Sequence, residues 1–332
     1  MATADPIVDP RLNQQEREVW ERVSCSPVPS LWRANGVSAR AVARRTFNSA
    51  MQDRLLGHAS ELGFYFLFSL FPTLICASSI LGLAARSAPR VYDSLVNYLA
   101  LVIPTSALGM VVNMFDQATA ASSSGKITFG LVAAIWSASA GTSAAQDTLN
   151  AVYKLVERRS FFKARAQAIA LTIVLIVTVS LCLGSLFAGD MTASWLKHHI
   201  TERSAASGAA AIARLASWIS ATIFLTLSFA LTYCWAPDLR KRSWRWFSPG
   251  TVIGTAGWLL ASLGLRIYLH FFNSYSVTYG SLGAVIILLT WFYISGLMLL
   301  VGAEINSEIE AVAVETLLAH ERSAVSPVAP AV

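Results

Sequence analysis

Five ionisable side chains stand inside or at the edges of long apolar runs: Glu61, Asp147, Arg214, Arg266 and Glu304. Holding a charge away from water is costly, so each is a candidate for binding or transport chemistry. An arginine fork matches a phosphate or carboxylate, which makes Arg214 and Arg266 candidate anion ligands. The three acids could pair with basic loops or take up protons. Asn150 follows Asp147 by three residues and shares its helix face. Glu308 follows Glu304 by four, a like-charge spacing that calls for a cationic partner or for solvent. Asn306, two residues after Glu304, points elsewhere. The same charges also have a plain structural reading. The arginines can snorkel to an interface, and the acids can lock helix ends by pairing with Arg54, Lys154, Arg240 or Arg242.

Other chemistries lack their residues. There is no His-Glu-x-x-His pattern, no Cys/His cluster, no Gly-rich phosphate loop and no serine-hydrolase signature. Metal-dependent phosphodiester hydrolysis needs carboxylates grouped around a metal. The basic loops offer only Glu157 and Asp238. Cys25, Cys76, Cys182 and Cys234 are not spaced as metal pairs. No catalytic residue, metal, cofactor or nucleic-acid partner is expected.

The elements that position these residues follow from composition. The chain is 55% hydrophobic and 13% charged, about half the charge usual in a soluble domain. Six stretches are long and apolar enough to span a bilayer: 62–85, 127–148, 166–188, 210–235, 250–271 and 281–303. The expected fold is all-α, six transmembrane helices plus interfacial amphipathic helices. No cleavable signal sequence is expected, because the first 55 residues are polar. With six crossings, eighteen Lys and Arg fall on the side of the termini and five on the other. The positive-inside rule then puts both termini in the cytoplasm. The net charge of +6 serves topology and contact with anionic lipid.

Residues 1–37 read as a mobile cytoplasmic arm with a short helix near 12–23. Residues 38–310 form the membrane domain, and 311–332 a cytoplasmic tail, disordered at its end. Ser38 can cap a helix whose Ala43, Phe47, Ala50 and Met51 share a face. That face lies on the membrane interface or on a neighbouring helix. Pro72 should kink the first span. The segment 86–126 carries two amphipathic stretches. Small residues in 139–145 admit a close neighbour and mark an inner helix. The third span is apolar all round and is expected to be the most lipid-exposed. Tyr268, Phe271, Tyr275 and Tyr279 fit an interfacial aromatic belt.

Three blocks, "ASELGFYFLFSLFPTL" (59–74), "WSASAGTSAAQDTLNAVYKLVERRSFFKAR" (136–165) and "NSYSVTYGSLGAVIILLTWFYISGLMLLVGAEINSEIE" (273–310), carry a resemblance. In this order they resemble the YihY/BrkB family of bacterial inner-membrane proteins, over about residues 40–310. The resemblance implies a six-helix protein of the cytoplasmic membrane, linked to serum resistance and envelope integrity. Some members carry a ribonuclease BN label regarded as a misassignment, and the family supplies no catalytic residues to carry over. The expected function is transport or organisation of an envelope lipid or other amphiphilic anion. Its path is a polar groove lined by Arg214, Arg266, Glu61, Asp147, Asn150 and Glu304. Membrane lipids and envelope proteins are the expected partners. The alternatives are a structural scaffold and, more weakly, a ribonuclease. Oligomeric state, substrate and energy source stay open.

Overall fold

Each of the six apolar runs lies within a helix, and each helix extends past the run that seeds it. The computed structural model describes residues 7–25, 38–85, 109, 113, 127–200, 202–241, 247–271 and 281–325, without the side chains of 39, 71–85, 127–134, 203, 281, 324 and 325. Eight helices are named here in chain order: α1 (Gln14–Cys25), α2 (Ala39–Gln52), α3 (Leu55–Ala85), α4 (Ile127–Val152), α5 (Phe161–His199), α6 (Arg203–Trp235), α7 (Pro249–Phe271) and α8 (Ser281–Val325). Among the described residues α5, α6, α7 and α8 are long and apolar enough to cross a membrane. The amphipathic stretches of 86–126, the side chain of Pro72 with its expected kink, Tyr275, Tyr279 and the tail end 326–332 lie outside the described residues.

α8 is the organising element. It packs on α3 and α7 along its apolar part, and on α1, α2 and α4 elsewhere. α3 continues to α4, α4 to α5, and α5 forms a long hairpin with α6. α6 meets α7 over a shorter stretch than it meets α5. The end of the bundle where α1 and α2 dock is called the arm end here, and the opposite one the far end. α4 is an inner helix over its second half, where Ser139, Ala144, Ala145 and Leu149 are buried. The apolar part of α7 is less covered than that of α5, at 11% against 22% buried. Among α5, α6, α7 and α8 the least covered apolar part therefore belongs to α7 and not to the third span.

Two expectations about the chain ends are corrected. Residues 7–25 pack on the bundle where the sequence suggests a mobile arm. Val8 forms a β-bridge with Leu155, and Val19, Trp20 and Val23 join the core. The composition of this segment is polar, but its few apolar residues share one face, and that face finds α8. Likewise α8 does not stop near residue 303. It runs 45 residues to Val325, burying Ala311, Val314 and Leu318. The 311–325 stretch is helix packed against α1, tied by Arg22–Glu321 at 2.9 Å and Arg322–Glu18 at 2.6 Å.

α2 starts after Ser38, which makes no side-chain cap bond. Its Val42 and Thr46 turn inward, while Phe47 and Met51 stay exposed. One close approach fixes the arm end. A Cβ on Gly250 would lie 1.9 Å from the Gly302 carbonyl, and one on Gly302 would lie 2.3 Å from the Tyr233 hydroxyl. Only glycine lets α7 and α8 come this near.

Candidate functional site: charges at the two ends of the bundle

At the far end, Arg214 on α6 donates to Asp190 on α5 at 3.1 Å, with both side chains about half exposed (51% and 54%). The pair closes a hairpin in which Ala221 and Leu186 are buried together. Arg266 is exposed on α7. It borders a surface concavity of about 490 Å³ with Leu263, Ile267, His270 and Phe271. The two arginines thus stand on different helices, Arg214 on α6 and Arg266 on α7.

At the arm end several polar groups are buried. Glu304 on α8 is 1% exposed, and its Oε2 has no hydrogen-bond partner. The charged groups acting on it are Asp53, Lys154 and Glu308. Glu308, 4% exposed, accepts from Arg45 Nε at 3.0 Å and from Ser49 Oγ at 2.6 Å. Arg45 also donates twice to Glu315 at 2.8 Å. The like-charged Glu304/Glu308 spacing is therefore answered by a cation from α2. The hydrogen bond and charge of Glu315, with Glu308 beside it, raise the Arg45 pKa above its ordinary value despite burial. Lys154, in a left-handed backbone conformation (φ 54°), pairs with Asp53. That contact ties the corner between α2 and α3 to the turn after α4. Asp53 Oδ2 also lacks a hydrogen-bond partner. Between α1, α2 and α8 lies a cavity of about 580 Å³ on whose wall Asp53, Lys154, Glu308, Arg45 and Glu315 all stand.

A second polar group surrounds Asn150. Its Nδ2 donates to Glu157 at 2.8 Å, and its Oδ1 accepts from the Asp238 amide at 2.7 Å. Arg159 clasps Glu157 and reaches the Ala236 carbonyl at 3.1 Å. Burial pushes the Glu157 carboxyl up, but the hydrogen bonds and charge of Arg159, with Asn150, bring it net below the usual carboxylate range. Asp147 faces the same neighbourhood, within the fields of Glu157, Glu61 and Arg159. Glu61 is half exposed, with His58 Nδ1 3.6 Å away. The structure so divides the inner acids. Asp147 and Glu61 share one surrounding with Asn150 and Glu157, and Glu304 sits in another with Asp53 and Lys154.

Several functional positions carry weaker signals in the sequence. Asp190 falls just beyond the expected third span. Arg45 counts there only as a topology charge, while Lys154 is already named as a pairing partner for the inner acids. Asn306, 3% exposed, accepts from the Gly250 amide at 2.9 Å and satisfies one of the free donors at the start of α7. The readable signal for that contact is the Gly250-xxx-Gly254 spacing beside Pro249 at the helix start.

Long apolar helices around a buried polar end define a helical membrane protein. The chain belongs to the family described as virulence factor BrkB, which matches residues 46–325. It is 32% identical over 249 residues to the ribonuclease-like protein YfkH of Bacillus subtilis (strain 168), covering 75% of this chain and 88% of that one. It is 25% identical over 276 residues to a UPF0761 membrane protein of Stenotrophomonas maltophilia (strain K279a), covering 82% of this chain and 62% of the relative. A UPF0761 membrane protein of Nitrosospira multiformis is 24% identical over 255 residues, covering 76% of this chain and 56% of the relative. The chain thus spans somewhat over half the length of these two relatives. No solved structure matches it.

Proposed function

We propose that the protein moves or organises an envelope lipid or another amphiphilic anion in the bacterial cytoplasmic membrane. The carrying observation is the setting of Arg266. Arg266 and the neighbouring His270 border a concavity along α7 whose other lining residues are Leu263, Ile267 and Phe271. A cationic group on an apolar wall is complementary to a phospholipid, with an anionic head at the guanidinium and acyl chains along the helix. In this reading the helices α3 to α8 make six crossings, residues 38–310 form the membrane domain, and the arm end faces the cytoplasm. The excess of basic residues at that end supports the orientation.

The test is headgroup translocation in vesicles containing the purified protein. Arg266→Ala is expected to slow it at least five-fold. Equal rates in protein-containing and empty vesicles would remove the proposal. A scaffold reading rests on one observation, the two ion pairs that clip α1 to the end of α8. It predicts no protein-dependent translocation and the loss of partner recruitment when α1 is deleted.

A further inference from the structure

α2 presents two unlike faces. Inward, Val42 packs with Ile305 and Ile309 of α8, and Arg45 and Ser49 hold Glu308. Outward stand Arg40, Arg44, Phe47 and Met51, spaced by four, three and four residues, so that all lie within about 60° around the helix. All four are exposed, Phe47 by 65% and Met51 by 54%. Among the described residues neither Arg40 nor Arg44 has an acidic partner, whereas Arg45 on the inner side has two. The outer face thus carries two cations, two large apolar side chains and no carboxylate. In water its apolar area is left unburied, and in hydrocarbon its arginines would be costly. The boundary between the two suits both.

The packing sets α2 at that boundary. The apolar run of α8 ends at 303, and α2 crosses α8 at 305–309. At 1.5 Å per residue α2 lies about 3–9 Å beyond the run, and the polar layer of one leaflet is about 5–8 Å deep. Exposed phenylalanines mark the same level on other helices. Phe161 and Phe162 come just before the run that begins at 166, and Phe247 just before that at 250. A second copy of the chain meeting this face symmetrically would set Arg40 and Arg44 against their own equivalents. An anionic leaflet instead supplies phosphate to the guanidinium forks and acyl chain to the apolar pair. We infer that α2 is an interfacial helix that binds anionic phospholipid of the leaflet at the arm end. Arg40 and Arg44 take the headgroup phosphates, and Phe47 and Met51 rest at the edge of the acyl layer. Lipid on the outer face, and the Glu308 and Glu315 pairs of Arg45 on the inner one, hold α2 between leaflet and α8. This contact is separate from the Arg266 concavity and does not depend on lipid translocation.

The test is photo-crosslinking of the full-length protein carrying p-benzoylphenylalanine in place of Phe47. The protein is reconstituted into nanodiscs of phosphatidylcholine and phosphatidylglycerol, and the adducts are read by mass spectrometry. Phosphatidylglycerol is expected among the lipid adducts at about three-fold or more above its share of the bilayer. The same label in place of Leu260, exposed on α7, is expected to report the bulk ratio. Arg40→Gln with Arg44→Gln, both at exposed positions, is expected to return the site at Phe47 to the bulk ratio while lipid adducts persist. Adducts to protein alone would give the face to a second copy or another polypeptide and overturn the inference. A bulk ratio at Phe47 with both arginines present, or an enrichment that survives their loss, would overturn it equally.

Discussion

At the arm end Glu304, Asn306 and Glu308 are 1%, 3% and 4% exposed. At the far end Arg214 and Asp190 are each about half exposed. The two ends of one bundle therefore handle polar groups by different means. At the arm end, α1 and α2 cover the helix termini, and buried polar groups there are matched by side chains of other elements, apart from Glu304 Oε2 and Asp53 Oδ2. Arg45 answers Glu308, Asn306 answers the start of α7, and Asn150 answers both Glu157 and Asp238. At the far end Arg214 and Asp190 pair at the surface, where solvent shares in matching them. A buried network is sensitive to the removal of any one member, because the partner left behind stays buried. An exposed pair is not.

That contrast can be broken or sharpened by substitution. The largest effect is expected from Gly250→Val. Its Cβ would overlap the Gly302 carbonyl and the Asn306 amide, forcing α7 from α8 at a cost of about 3 kcal/mol or more. The check is the yield of monodisperse protein and its melting temperature in detergent. Asn150→Ala comes next. It removes bonds to Glu157 and to the Asp238 amide, and is expected to destabilise by about 2 kcal/mol, read by the same melting curve. A more modest effect concerns pH. The folded-state pKa of Glu157 is depressed, so its contribution is fully present above the unfolded value of about 4.3. It is lost as pH falls through the lower folded value. Wild type should therefore lose more melting temperature than Glu157→Gln as pH is taken below about 4. The smallest effect is expected from Arg214→Gln, below about 1 kcal/mol. A loss as large as that of Asn150→Ala would end the distinction between the two ends.

Much of the fold is legible in the sequence because apolar length is a blunt and reliable signal. All six runs lie in helices, and the small residues of 139–145 lie on an inner helix. The helix extensions were not legible in the same way. Beyond Ala303, α8 turns polar, and its packing on α1 and α2 accompanies the burial of Ala311, Val314 and Leu318. Tertiary partners decide that, and hydropathy does not carry them. The site residues divide likewise. Glu304 and Glu308 advertise themselves by an unfavourable spacing, and the need for a cation could be read from it. That the cation is Arg45, more than 250 positions away, could not. Asp147 and Asn150 were legible as one face, and Glu157 is the neighbour they share.

The length of α8 has a mechanical consequence. At 45 residues and 1.5 Å per residue it is a rod of about 68 Å, more than twice the thickness of a bilayer's hydrocarbon core. Its apolar part leans on α3 and α7, and its other end is clipped to α1. A tilt of about 5° about its middle carries each tip through about 3 Å, comparable to the length of one hydrogen bond. A tilt of that size among the apolar helices would therefore reach Arg22–Glu321 and Arg322–Glu18 as a displacement large enough to break either pair.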